Sequence, residues 1–173
     1  AILCNEATMR KEGDKVEFLG DQVDVALARY ALGLDDSLFD KRDKVRLIDK
    51  KPYEAVNKYS AMTYALDGAK THFIKGSPEV VIDMCDLNGS DAKSIFNQVD
   101  EWADRGFRNI ALAYKASDEK GVAMESYEYL GFAAIADPLR EGVAEAVRMA
   151  EEAGIEVVMI TGDHPNTAYY IAK

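Results

Sequence analysis

Three short motifs place lysine, arginine, threonine or aspartate beside glycine or proline, directly after predicted strands. They are Lys75-Gly76-Ser77-Pro78-Glu79, Asp137-Pro138-Leu139-Arg140 and Thr161-Gly162-Asp163. A threonine hydroxyl can donate to a phosphoryl oxygen, a glycine lets the backbone approach a ligand, and the start of the following helix favours an anion. The motifs at residues 137–140 and 161–163 follow successive predicted strands, so together they indicate a phosphate site. In the first motif, Lys75 would point from the end of a strand toward whatever occupies the cleft, and Gly76 lacks the side chain that would block a flat ligand.

Each motif also fits a purely structural role. Asp163 can cap the helix that follows it, with Pro165 in the first turn. Asp137 can likewise cap a helix, with Pro138 at its first position. Lys75 can be a solvated lysine in a strand-to-helix turn. The residues alone leave both interpretations open at all three motifs.

The hydrophobic pattern predicts two kinds of sheet along the chain. Strands are predicted at residues 15–18, 59–66, 71–75, 110–115, 130–136 and 155–160, and helices at residues 22–33, 79–84, 90–105, 140–153 and 164–172. The Asp67-Gly68 turn between two strands predicts an antiparallel hairpin. The last two apolar runs alternate with helices, which is typical of a parallel βαβ arrangement. We therefore predict an α+β fold, with an antiparallel sheet flanked by helices over 1–129 and a partial Rossmann-like α/β segment over 130–173.

The composition excludes several classes of protein. The 173 residues include 21 basic and 31 acidic side chains, for a formal charge of −10, which argues against a nucleic-acid partner. Because the chain has no run of 18 apolar residues, we expect no membrane span and no direct membrane contact. Cys4 and Cys85 have no metal-ligand spacing and indicate free thiols in a reducing compartment.

Five motifs, in order, resemble those of the P-type ATPases, and most closely the type II cation pumps. In chain order, residues 20–27 resemble the family's Gly-(Asp/Glu)-x-x-Glu-x-Ala-Leu segment and residues 52–58 resemble its Pro-Phe…Lys segment. Residues 75–79 resemble its Lys-Gly-Ala-Pro-Glu motif. Residues 137–140 resemble its Asp-Pro-Pro-Arg motif, and residues 159–163 its Met-(Ile/Leu)-Thr-Gly-Asp motif. Ser77, Leu139 and Tyr53 depart from the family pattern. The resemblance covers nearly the whole chain.

The resemblance implies an adenine pocket and a phosphate side. Tyr53 would stack on the base, or else be a tyrosine at the edge of the core. Lys58 and Lys75 would line the pocket with positive charge, and Gly76 would admit the ring. The remaining implied residues are Asp21 or Asp24 beside the adenine amino group, Arg108 at the β-phosphate or ribose, and Asp137, Arg140, Thr161, Gly162 and Asp163 on the phosphate side. Lys58 and Arg108 also fit as solvated side chains.

The resemblance further implies a cytoplasmic, ATP-binding part of a membrane pump that transfers a phosphoryl group from Mg²⁺-ATP to an aspartate. The family's acceptor loop (Asp-Lys-Thr-Gly-Thr) and its magnesium loop (Gly-Asp-Gly-x-Asn-Asp) do not occur in the sequence. We therefore expect the chain to begin just after the acceptor loop, to end within the phosphorylation domain, and to bind nucleotide without hydrolysing it. Its partners would be the transmembrane and actuator domains. Two alternatives are a haloacid-dehalogenase-like (HAD) phosphatase and a non-enzymatic interaction module.

Overall fold

The computed structural model describes residues 1–12, 15–66, 68–116, 125–136 and 140–160, together with residues 169 and 172. Its strands are β1 (Thr8–Glu12), β2 (Lys15–Leu19), β3 (Arg46–Glu54), β4 (Tyr59–Leu66), β5 (Ala69–Gly76), β6 (Arg108–Ala116) and β7 (Glu128–Ile135). Its helices are α1 (Gln22–Leu34), α2 (Leu38–Asp43), α3 (Pro78–Asp83), α4 (Gly89–Asp104) and α5 (Val143–Glu152). None of the helices described is both long enough and apolar enough to cross a membrane.

The main sheet has five strands in the order β3-β4-β5-β6-β7, and every neighbouring pair is antiparallel. The predicted hairpin is confirmed: Leu66 pairs with Ala69 across a tight connection that includes Gly68 at φ 82°. A positive φ at this point suits glycine, because other residues strain there. β1 and β2 form a separate antiparallel ribbon.

Alternation along β5 sends neighbouring side chains to opposite faces of the sheet. Ile74 is fully buried in a core that also contains Val81 of α3 and Ala111 of β6. Lys75 points the other way and contacts Asp24 of α1. The sheet is therefore covered by α3 on one face, while α1 approaches the end of its other face.

Helix α1 is capped by Asp21, whose Oδ1 accepts a hydrogen bond from the Val23 N–H at 2.9 Å. Such a cap satisfies one of the unpaired N–H groups at a helix start. The buried face of α1 packs Ala28 against Phe39 of α2 and Ala7 next to β1. This second, smaller core holds α1 against α2 and against the ribbon of β1 and β2, through Met9 and Phe18.

Two expectations about the last part of the chain are wrong. The run at residues 130–136 does form a strand, but β7 pairs antiparallel with β6 as the fifth strand of the main sheet instead of joining a parallel one. Hydrophobicity predicts burial and cannot give the direction of the partner strand. Residues 155–160, predicted as a buried strand, are exposed and belong to no strand in the described structure. A strand needs a neighbour for its backbone groups, and no described residue pairs with this run. The Rossmann-like segment therefore stays a prediction.

Candidate functional site

A cleft of about 730 Å³ lies where β3, β4, β5 and β6 meet the start of α1. We call it the strand-end cleft. Its lining residues are Glu6, Gly20, Asp21, Val23, Asp24, Pro52, Tyr53, Ser60, Lys75, Gly76, Ser77, Arg108, Asn109 and Ile110. Its size is within the range of small-molecule sites, roughly 300–1,000 Å³.

The cleft brings together six of the seven residues that the sequence assigned to a nucleotide. They are Asp21, Asp24, Tyr53, Lys75, Gly76 and Arg108. The seventh, Lys58, is not among the lining residues. Its ammonium is 3.1 Å from Oε1 of Glu79 in a half-exposed ion pair at the start of α3. The antiparallel sheet explains the convergence, because the end of β5 lies between the starts of β4 and β6.

A buried ion pair joins Lys75 of β5 to Asp24 of α1. The two side chains are only 9% and 8% exposed. The other carboxylate oxygen of Asp24 accepts a hydrogen bond from the Glu6 N–H at 2.9 Å. Burial lowers the pKa of the Lys75 ammonium from its ordinary value, against the opposing effect of nearby acidic groups including Glu6 and Asp21. Asp24 thus compensates a charge that would otherwise be costly to bury.

Tyr53 and Arg108 have accessible side chains at the mouth of the cleft. Tyr53 is the eighth residue of β3 and is 61% exposed, so most of its side chain is accessible. An exposed ring lining a cleft offers a face on which a flat ligand can stack. Arg108 is exposed at the first position of β6 and supplies an accessible cation.

Gly76 is required by the packing between β4 and β5. It pairs with Tyr59, and a Cβ at this position would be 2.6 Å from the Cβ and 2.7 Å from the Cα of Tyr59, and would also collide with the carbonyl oxygen of Lys58. These are backbone or backbone-proximal atoms that cannot move independently. Close strand packing is therefore a reason for this glycine that is independent of any ligand.

Most of the predicted phosphate-side residues are not described. Asp137, Thr161, Gly162 and Asp163 lie outside the described residues. Arg140 is described, is exposed, and is not among the residues that line the cleft. Within the described ranges, no three His, Cys, Asp or Glu side chains are grouped to hold a metal ion.

The sequence interpretation missed Glu6 and Ser60 as cleft residues. Ser60 had a usable signal: with the turn at residues 67–68, counting back along the hairpin pairs residue 60 with residue 75, as observed. Glu6 had none, because residues 1–12 show no clear period and the contact with α1 joins positions 18 residues apart.

The family model and the similar proteins that match this chain indicate the same family. The family model described as "P-type ATPase, cytoplasmic domain N" matches residues 1–142. Calcium-transporting ATPase 1 of Lactococcus lactis is 33% identical, covering 99% of this chain and 21% of the relative. Plasma membrane-type calcium-transporting ATPase 10 of rice is 29% identical, covering 97% of this chain and 18% of the relative.

A sodium/potassium-transporting ATPase alpha subunit of Hydra vulgaris is 28% identical over 100% of this chain and 20% of its own length. The chain therefore spans about a fifth of the length of these curated relatives. Since the family model covers most of the chain, from residue 1 to residue 142, the chain belongs to the P-type ATPases and carries their cytoplasmic domain N.

Proposed function

We propose that this chain is the ATP-binding part of an ATP-driven cation pump and that the strand-end cleft holds the nucleotide. The parent protein would use Mg²⁺-ATP to phosphorylate an aspartate outside this chain. One observation carries the proposal: six residues selected from the sequence for a nucleotide line a single cleft of about 730 Å³ in a P-type ATPase domain N.

The aromatic ring of Tyr53 supports an assignment of the base. Pro52 and Ile110 line the same cleft and provide apolar walls, while Val23 lies at the start of α1. A purine is flat and apolar on both faces, so it gains from stacking on an exposed ring. We infer that adenine lies against Tyr53, with Gly76 leaving space beneath it.

The charges in the cleft support one orientation of the nucleotide. The carboxylates of Asp21 and Asp24 lie at the start of α1, whereas Arg108 lies on β6. The third carboxylate of the cleft, Glu6, is paired with Lys50 of β3. Lys75 is already compensated by Asp24. A triphosphate is repelled by the acidic side and attracted to the accessible cation. The phosphates therefore extend past Arg108, and the base faces α1.

Lys58 acts at most at the rim in this arrangement. Its ammonium is held by Glu79, and a nucleotide that reaches it must compete with that pair. Exposed pairs of this kind are weak, about 0–1 kcal/mol, so the competition costs little affinity.

The phosphate chemistry depends on groups beyond the described cleft. Mg²⁺ would enter with the triphosphate and neutralise charge on the transferred phosphoryl group. We retain Asp137, Arg140, Thr161, Gly162 and Asp163 as proposed phosphate-side residues. The acceptor aspartate lies outside this chain, so the chain alone should bind ATP without hydrolysing it. Stoichiometric phosphorylation of this chain would contradict the proposal.

The proposed domain division needs one adjustment. β7 ends at Ile135 and belongs to the main sheet, so the boundary at residue 130 falls inside a strand. We propose that the part of a phosphorylation domain within 130–173 begins after β7. The parent's transmembrane and actuator domains remain its proposed partners.

A matched pair of tyrosine variants tests nucleotide binding. Tyr53 and Tyr30 are 61% and 66% exposed, but only Tyr53 lines the cleft. Backbone amide NMR shifts should move on ATP addition, and Tyr53→Ala should weaken binding about 5- to 100-fold through lost stacking. Tyr30→Ala should leave affinity unchanged. Tyr53 is a sharper probe than Lys75, since removing Lys75 leaves Asp24 buried without its partner.

Two outcomes would refute the proposal. If ATP leaves the cleft resonances unmoved, the motifs serve as turns and caps in an interaction module. If both tyrosine variants lose the same affinity, the nucleotide does not bind in the strand-end cleft. Release of phosphate from simple phosphate esters by the chain alone would favour the HAD-like phosphatase.

A further inference from the structure

A second cavity, of about 290 Å³, lies where α2 and β3 meet β4. We call it the α2–β3 cavity. Its walls include Leu47 of β3 together with Met62 and Tyr64 of β4. Alternation along β4 sends Met62 and Tyr64 to one face of the sheet, opposite to Ala61 in the main core. The cavity lies at the small end of the range for ligand sites, roughly 300–1,000 Å³, so it suits a small ligand.

Arg42 of α2 places a largely buried guanidinium in the α2–β3 cavity. Its side chain is 15% exposed, and its guanidinium carbon is 4.6 Å from the centre of the Phe39 ring. Nη1 donates to the Ala7 carbonyl oxygen and Nε donates to Oδ1 of Asp43, each at 3.1 Å. A guanidinium has five N–H donors, so these contacts orient the group and leave Nη2 for a further acceptor. The oxyanions that match this fork are phosphate and carboxylate.

Tyr64 is a second buried donor that lines the cavity. It is 4% exposed, and its hydroxyl donates to the Met62 thioether sulfur at 3.5 Å. A thioether is a weak acceptor, so an oxygen of a ligand is a better partner for this hydroxyl. Burial raises the pKa of Tyr64 from its ordinary value, against the opposing effect of the nearby Arg42 charge. The phenol is therefore protonated at neutral pH and able to donate.

The chain segment that forms one side of the cavity is basic. Residues 41–51 carry six basic and two acidic side chains, in a chain whose formal charge is −10. Within this segment, Lys50 lines the cavity, and its ammonium is 2.9 Å from Oε2 of Glu6 in a partly exposed ion pair. Such a pair is weak, so Lys50 can turn to another anion at little cost. The two carboxylates that line the cavity, Glu6 and Asp43, are each paired with one of its cations.

We propose that the α2–β3 cavity is a second ligand site, which binds the phosphate group of a small phosphate ester or of inorganic phosphate. The Arg42 guanidinium, the Tyr64 hydroxyl and the Lys50 ammonium all line it. A tetrahedral phosphate offers an oxygen to each of these three donors, whereas a carboxylate has only two oxygens. Leu47 and Met62 provide an apolar wall for the organic part of an ester. The proposal does not depend on nucleotide binding in the strand-end cleft.

NMR titration of the full chain with sodium phosphate, compared with sodium chloride at the same ionic strength, tests the site. Phosphate should cause saturable amide shifts around Arg42, Lys50 and Tyr64. Tyr64→Phe removes only the hydroxyl and should weaken phosphate binding about tenfold. Arg42→Lys keeps the charge but loses the fork, and should weaken it by a similar factor. Lys44→Gln is the control, because it removes an exposed cation that is not among the described residues lining the cavity.

A parallel titration with phenyl phosphate identifies the source of the phosphate group. Tighter binding of phenyl phosphate than of inorganic phosphate supports a site for esters, whose organic part packs on Leu47 and Met62. Tighter binding of inorganic phosphate supports a site for the free ion.

Three results would overturn the proposal. The first is the absence of saturable shifts with either probe. The second is an equal loss of affinity in Lys44→Gln and Tyr64→Phe, which would indicate diffuse attraction to a basic surface. The third is loss of phosphate binding in Arg108→Gln but not in Tyr64→Phe, which would place the phosphate in the strand-end cleft. If Arg42→Lys does not fold, Tyr64→Phe decides alone. None of these results bears on ATP binding, which Tyr53→Ala tests separately.

Discussion

The buried pair of Lys75 and Asp24 predicts a large and non-additive effect of mutation on stability. Lys75→Met removes the ammonium while keeping a long side chain, and Asp24→Asn removes the charge while keeping an acceptor for the Glu6 N–H. Each single variant leaves one buried charge without its partner. Removing one member of such a pair costs about 3–5 kcal/mol, against a total stability of about 5–15 kcal/mol.

The double variant should recover most of this loss. With both charges absent, no ion remains buried, and we expect the double variant to lie within about 1–2 kcal/mol of the wild type. Urea unfolding followed by far-ultraviolet circular dichroism measures the free energy, provided the slope with denaturant is unchanged. Glu101→Gln is the matched control, because it removes an exposed pair with Arg105 on α4 and should cost less than about 0.5 kcal/mol.

The same pair has a pH signature with a defined sign. Burial already lowers the pKa of Lys75, and loss of the Asp24 charge lowers it further. The unfolded state then binds more protons than the folded state between the folded pKa and about 10.4, so stability rises with pH across that window. The defect of Asp24→Asn should shrink from pH 7 to pH 10. Additive single effects, or single costs below about 1 kcal/mol, would refute a buried and compensated pair.

Three other predictions test packing and reactivity. Gly76→Ala should lose about 1–3 kcal/mol of stability, because the added Cβ meets the backbone of β4. The control is Gly33→Ala, where no atom lies within 4 Å of the added carbon, and it should be neutral or gain up to about 1 kcal/mol. Equal melting midpoints of the two variants would contradict this prediction. Burial raises the pKa of the Cys85 thiol to about 11. At pH 8, native Cys85 should therefore react with iodoacetamide roughly a hundredfold more slowly than Cys85 of the chain unfolded in urea, with the extent of alkylation measured by mass spectrometry. Similar rates in the two states would exclude a shifted pKa. Asn88 caps α4 by accepting from two N–H groups, so Asn88→Ala should cost about 1 kcal/mol in urea unfolding, and no loss would mean that the cap adds nothing.

Much of the fold was predictable where local pattern and structure agree. The Tyr59–Leu66 strand, its hairpin and the helices at Gln22–Leu34 and Gly89–Asp104 were predicted within a few residues. These segments carry strong periodicity, a turn signal or a clear helix end. β3 was missed since its nine residues are almost all exposed and include five charged side chains, so no apolar alternation marks it as an edge strand.

The candidate site was predictable where motif residues lie at strand ends. Lys75 and Gly76 end β5 and Arg108 begins β6, and adjacent antiparallel strands bring such positions together. The exclusion of Lys58 was not predictable, because its position depends on a surface pair with Glu79 in a helix that follows a different strand. The hydrophobic pattern also does not indicate whether two paired strands run parallel or antiparallel, which is why β7 was assigned to a parallel sheet.

Under the proposed function, a chain with a formal charge of −10 would bind a polyanion, and the distribution of charge in the cleft is compatible with this. Three carboxylates and two cations line the cleft, and one carboxylate and one cation are paired with each other as Asp24 and Lys75. Of the remaining groups, Asp21 lies at the start of α1, Glu6 is paired with Lys50 of β3, and the Arg108 cation lies on β6. A phosphate chain is attracted to the Arg108 guanidinium and repelled by the Asp21 carboxylate, so this arrangement favours one direction of the triphosphate. In the proposed function, binding strength comes mainly from the base on Tyr53, and the charges determine which way the triphosphate points.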